Sequence, residues 1–181
     1  MTAEAVGTVV RTGPVPPGAV PVSGEELRTV TLPGLTLAVR TRQGTRGGLP
    51  PALYVHGLGG SSTNWSALMA RLEEHLDGEA IDLPGFGHSP PPDDGDYSVA
   101  GLARAVIRYL DTAGRGPVHL FGNSLGGAVS VRVAAARPDL VQTLTLVSPA
   151  LPELPPPPGA LPTVMLGLPG MTALAARATR D

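Results

Sequence analysis

The 181-residue sequence contains no cysteine. That excludes a disulfide scaffold, thiolate zinc sites, iron–sulfur ligation and a cysteine nucleophile. Lysine is missing too, so all 13 basic residues are arginines. A phosphate loop that relies on a lysine is excluded with it. There is no charge excess either: 15 acidic residues leave a net charge of −2. A protein that binds nucleic acid by neutralising phosphates is usually basic, so no nucleic-acid partner is expected. The N-terminus has no basic region ahead of an apolar run, which argues against a signal peptide. The longest uncharged stretch, residues 154–176, is broken by prolines and glycines and does not read as a membrane span. A cytoplasmic location is the expectation.

What is present fits one folded domain. Hydrophobic residues make up 42% of the chain and charged residues 15%, a balance that a wholly disordered chain does not have. Residues 1–27 show no clear period and read as a flexible N-terminal extension. Strands are expected at 28–32 and 35–41, with Pro33-Gly34 suited to the centre of a type II turn between them. Then the pattern alternates. Short apolar runs at 52–55, 79–83, 118–121 and 141–147 read as buried strands. Helical periodicity falls between them: Trp65, Leu68, Met69, Leu72 and Leu76 on one face, then Val99, Leu102, Ala103, Val106 and Leu110, then residues 125–137 ahead of Pro138. Ser98 is placed to cap the second of these helices. Strand–helix alternation of this kind implies a parallel sheet covered by helices.

The segment with chemical content is Gly122-Asn123-Ser124-Leu125-Gly126, between an apolar strand and a helix. A sharp strand-to-helix turn there would push Ser124 into a strained backbone conformation with its hydroxyl exposed at the carboxyl edge of the sheet. Glycines on either side let the chain pass closely. The helix N-terminus behind the serine favours developing negative charge. The spacing fits neither a Walker loop nor a dinucleotide fingerprint.

Three motifs, in order, resemble the alpha/beta-hydrolase fold superfamily: His56-Gly57-Leu58-Gly59-Gly60, Asp82-Leu83-Pro84-Gly85-Phe86-Gly87-His88-Ser89, and Gly122 to Gly127. The resemblance covers roughly residues 28–150. It implies an α/β fold, a mainly parallel sheet with helices on both faces, ending after about the sixth strand. Residues 28–150 would be the N-terminal half of the core and 151–181 the start of a Pro-rich lid. It also implies a serine hydrolase of esterase or lipase type, with Ser124 as nucleophile and the backbone N–H groups of Leu58 and Leu125 as the oxyanion hole. His56, Gly57, Gly122 and Gly126 support the two loops. No metal and no cofactor is implied. The partner is a small, apolar, ester-like molecule.

In this fold the acid and the histidine of the triad follow the serine. All four histidines, His56, His75, His88 and His119, precede Ser124, and the acids after it are Asp139, Glu153 and Asp181. A hydroxyl needs its proton removed as it attacks, so the sequence leads to the expectation of an incomplete, inactive portion of a longer hydrolase. His56 is read as ordering its loop, His119 as packing against a helix, and Trp65 as either acyl-pocket lining or core. Two alternatives stay open: a non-catalytic remnant that binds a hydrophobic ligand or partner, and a perhydrolase or acyltransferase with the same nucleophile. An uncovered strand at 141–147 would favour association, and the oligomeric state is left undetermined.

Overall fold

A computed structural model describes residues 11–14, 16–19 and 21–151. The expected hairpin is β2 (Glu26–Leu32) and β3 (Leu35–Arg42). Its turn works because Gly34 takes φ 65°, which a side chain would resist. The apolar runs form β4 (Pro51–Val55), β5 (Asp77–Ile81), β6 (Val118–Asn123) and β7 (Val141–Val147). The sheet order is β1-β2-β3-β5-β4-β6-β7. β5, β4, β6 and β7 are mutually parallel, and β3 joins them antiparallel through β5. Five of the seven described strands therefore run one way.

Helices cover both faces. α2 (Val99–Ala113) starts at Ser98, whose hydroxyl accepts from the Gly101 amide at 3.0 Å, and stops at Gly114, in the left-handed region. With α3 (Leu125–Ala136) it covers Leu53, Val55, Ile81 and Leu120. On the opposite face the 3₁₀ turn Ser62–Trp65 and α1 (Ser66–Leu72) pack Trp65 and Met69 onto Ala52, Tyr54 and Ala80. Trp65 is thus a core residue, its ring 5.4 Å from that of Tyr54.

Three local expectations change. The first helix ends at Leu72, not near 76, because the Leu72 carbonyl takes the amides of both His75 and Leu76, each at 2.8 Å, in a closing turn. β5 ends at Ile81, not Leu83: the Leu83 amide leaves the ladder to reach His56 Nε2 at 3.0 Å. Residues 1–27 are not wholly irregular, since β1 (Arg11–Gly13) pairs with β2 at the sheet edge. The lid expected over 151–181 falls outside the described residues except for Leu151.

Beyond β1 the chain is fastened by Glu25. Its side chain is fully buried and lies 3.3 Å from Arg40, itself 1% exposed, and 3.4 Å from Arg42. Ser66 donates to it at 2.8 Å. On the other face Glu79 receives Arg28, Arg115 and the Tyr109 hydroxyl, and burial together with the Glu79 charge raises the Tyr109 pKa well above its ordinary value. Removing one partner of a buried pair strands the other charge in a low-dielectric layer, at about 3–5 kcal/mol. Glu25→Ala should therefore destabilise the fold by about that amount in urea unfolding; a loss below about 1 kcal/mol would mean that the pair behaves as a solvated one.

Candidate active site

The carboxyl ends of β4, β5 and β6 each feed one of the three motif loops, so the topology brings them to one edge of the sheet. Ser124 sits between β6 and α3 with φ 49° and ψ −116°. For a residue with a Cβ this is a strained conformation, worth roughly 1–3 kcal/mol, and such strain persists only where the surroundings impose it. Here they do. The Ser124 amide donates to Val147 O at 3.1 Å, and its carbonyl accepts from Gly127, Ala128 and Ala150 at 2.9, 3.2 and 2.9 Å. The neighbouring Asn123 Nδ2 donates to Val147 O at 3.0 Å.

The glycines are dictated by backbone proximity. A Cβ on Gly122 would stand 2.5 Å from Gly126 O and 2.6 Å from Ser130 Oγ. One on Gly126 would collide with the carbonyls of Val55 and His56 at the end of β4. These contacts are far inside van der Waals separation, so α3 can lie this close to the sheet only over glycine. The Ser124 side chain makes no capping hydrogen bond to α3, and its residue is only partly buried. Leu125 is the first residue of α3, so its N–H has no carbonyl a turn earlier to bond.

The His56–Gly60 loop is packed directly against this turn: a Cβ on Gly57 would lie 3.1 Å from Ser124 Cβ and 2.8 Å from Asn123 Oδ1. His56 is fully buried. Its Nε2 accepts from the Leu83 amide at 3.0 Å, so the ring proton is on Nδ1, which donates to Gly57 O at 2.7 Å. Gly57 O also accepts from the Gly60 amide at 3.1 Å. Leu58 sits at the crest between these bonds and packs partly buried against the main core.

The third loop is built around Asp82, which is fully buried. One carboxylate oxygen accepts from the Ser62 amide at 2.5 Å, and the other from the His88 amide at 2.8 Å, with His88 Nδ1 3.5 Å away. Ser89 Oγ accepts from the Ala38 amide at 2.9 Å and donates to Asp82 O at 2.6 Å. Asp82 therefore fastens the second motif loop to the turn at Ser62 that follows the first. A cleft of about 770 Å³ opens beside them, between Gly59, Gly60, Asn64, His88 and Pro16. Gly59 and Gly60 of the first motif loop line it, and Ser124 does not.

The other sequence candidates lie elsewhere. His119 Nδ1 bonds Thr143 Oγ1 at 2.8 Å across β6 and β7, rather than packing against a helix. Asp139 sits before β7 at the opposite, amino edge of the parallel strands and pairs with Arg137 at 2.6 Å; His75 is exposed. The clamp made by Asn123, Val147 and Ala150 was not foreseen. Nothing in a strand's own pattern announces which neighbour will bind its last carbonyl.

A strained serine at a glycine-flanked strand-to-helix turn, backed by a glycine-rich loop from a neighbouring parallel strand, stands here in an α/β fold whose mainly parallel sheet is covered by helices on both faces. The family model for the alpha/beta hydrolase fold matches residues 50–177, and the chain belongs to that family. It is 33% identical over 126 residues to a pimeloyl-[acyl-carrier protein] methyl ester esterase of Aeromonas salmonicida, covering 68% of this chain and 48% of the relative. An esterase of Mycobacterium tuberculosis is 37% identical over 101 residues, which is 56% of this chain and 33% of the relative. Among solved structures, an E-2-(acetamidomethylene)succinate hydrolase superposes with a TM-score of 0.61 at 33% identity, over 66% of this chain and 43% of that one. The chain spans less than half the length of these curated relatives.

Burial holds the His56 pKa below its ordinary 6.5, and the bond to Gly57 and the charge of Asp82 oppose that only in part. The unfolded chain therefore takes up a proton at His56 before the folded chain does. The resulting stability is complete above about pH 6.5 and is lost as pH falls through the folded value, with a slope of at most about 1.4 kcal/mol per pH unit. An NMR titration should find that the folded His56 ring takes up its proton only below pH 6.5, and urea midpoints should decline as the pH is lowered from 6.5. A ring that protonates at or above 6.5 would contradict the bonding described.

Proposed function

We propose that Ser124 is the nucleophile of a serine hydrolase that acts on an ester or similar carbonyl in a small, apolar substrate. The observation that carries this reading is the backbone of Ser124, held at φ 49° between Gly122 and Gly126 with its hydroxyl unspent on the helix. Strain of this kind is maintained at functional sites because it aims a reacting group. The relatives that are esterases lend support to the substrate class.

In the proposed reaction Ser124 Oγ attacks the carbonyl carbon and gives up its proton to a general base. The carbonyl oxygen becomes an oxyanion, which the backbone N–H groups of Leu125 and Leu58 hold. Two such donors, fixed before the reaction, stabilise charge where it develops; loss of one such donor costs on the order of 10²–10³ in rate. Collapse expels the alcohol, which takes a proton, and leaves an acyl group on Ser124. Water then hydrolyses the acyl-enzyme by the same route. The base and the acid are assigned to none of the described residues. His56 in particular has both ring nitrogens engaged, and serves to shape the oxyanion loop.

The test uses the protein isolated from its source cells. A fluorophosphonate should label it at Ser124, as mapped on the peptide, and Ser124→Ala should abolish labelling. Hydrolysis of p-nitrophenyl butyrate should fall by about 10³-fold or more in that variant. Labelling at another residue, or turnover that survives Ser124→Ala, would overturn the assignment.

A further inference from the structure

Asn123 is the last residue of β6 and stands in register with Val147 at the end of β7. On its other side β6 runs beside β4, where Gly122 is in register with Val55, the residue before His56. The Asn123 side chain reaches both neighbours. Its Nδ2 donates to Val147 O at 3.0 Å, and the same carbonyl takes the Ser124 amide at 3.1 Å. A carbonyl oxygen has two lone pairs and can only accept. These two donors therefore fill it, and they fix which end of the Asn123 amide faces β7. Oδ1 is turned to the opposite end, against Gly57. A Cβ built on Gly57 would stand 2.8 Å from Oδ1 and 3.1 Å from Ser124 Cβ.

That spacing leaves room for the hydrogens of a glycine and for no carbon. Gly57 is also fixed within its own loop, because its carbonyl accepts from His56 Nδ1 at 2.7 Å and from the Gly60 amide at 3.1 Å. The loop is closed on itself. How near it comes to Ser124 is decided by what Gly57 rests against, which is the Asn123 amide and Ser124 Cβ. Leu58 is the next residue along. Other side chains would do less at position 123. Leucine has the size but cannot donate to Val147. Aspartate has the shape, but its carboxylate only accepts, and it would add a negative charge beside Ser124.

We infer that Asn123 is a positioning residue: anchored to β7 through Nδ2, it sets through Oδ1 the separation between Ser124 and the His56–Gly60 loop, and with it the position of the Leu58 N–H. This rests on the reading of Ser124 as nucleophile with Leu58 and Leu125 as oxyanion donors. Asn123 would touch neither the acyl group nor the leaving alcohol. Its effect falls on the rate of attack, where a misplacement of about 1 Å can cost about 10²-fold, and not on affinity for the substrate.

The test is a double-mutant cycle on the protein isolated from its source cells, read by the rate at which a fluorophosphonate labels Ser124. Asn123→Ala should lower the maximal labelling rate by about 10–100-fold and leave the reagent concentration at half-maximal rate unchanged. Gly57→Ala should also slow labelling, because its new Cβ meets Oδ1. In the double variant that obstacle is gone, so the two losses should not multiply, and the rate should exceed their product by at least about tenfold. Asn123→Ser takes the place of Asn123→Ala in the cycle if that variant does not fold. Losses that multiply, an unchanged rate in the Asn123 variant, or an effect confined to the half-maximal concentration would each overturn the inference. A chain whose Ser124 takes no label would overturn the nucleophile reading instead. The contact is then read from the Leu58 amide resonance in NMR spectra, which the Asn123 variant should shift; an unmoved resonance would refute the positioning role.

Discussion

Helix α3 begins where the backbone of β4 ends, and the two touch with no side chain between them. A Cβ on Gly126 would overlap the carbonyls of Val55 and His56, and one on Gly122 would press on the first turn of the helix. Everything at the carboxyl edge depends on that approach. It fixes where α3 points its N-terminus, it brings Gly57 to within contact of Ser124, and it leaves Ser124 no room to relax out of positive φ. Close packing of backbone on backbone is what glycine permits and no other residue does. The loops are then pinned from the side by two buried polar residues. His56 links the His56–Gly60 loop to Leu83, and Asp82 links the turn at Ser62 to His88. Both use backbone amides as partners, so the links tolerate changes in the surrounding side chains.

The division of labour across the sheet is equally physical. One face is mainly aliphatic, built from Leu, Val and Ile under α2 and α3, with Glu79 and its partners among them. The other face mixes rings with a buried arginine and a short, half-irregular helix. Aliphatic packing is non-directional and forgiving. Buried polar groups are directional, and each demands a partner. The polar face is the one from which the Ser62 turn reaches the motif loops, so the directional face is also the one that sets loop position.

Much of this was legible in the chain. The parallel strands and the helices between them follow from periodicity, because burial on one or two faces leaves a repeating mark. The elbow was legible for a different reason: its glycines are required by contact with backbone, and that requirement is the same whatever surrounds it. The ends of elements were less so. β5 stops at Ile81 because Leu83 is claimed by a histidine 27 residues earlier, and α1 stops at Leu72 because its carbonyl closes a turn. Neither event leaves a periodic trace. Glu25 lay in a stretch without pattern, and its role depends on Arg40 and Arg42, 15 and 17 residues away in sequence. The same limit applies to Val147 and Ala150, whose part in holding Ser124 is a matter of strand neighbourhood.

That last clamp has a kinetic meaning. The strained residue is held at its amide by the end of β7 and at its carbonyl by the residue three positions past it. Until β7 docks beside β6, Ser124 lacks two of the hydrogen bonds that hold it at positive φ, those to Val147 and Ala150. Parallel pairing across a helical crossover is a slow, non-local step in folding. The geometry of Ser124 would then be acquired late, as the sheet closes, and its strained backbone would act as a built-in report that the last of the described strands has found its place.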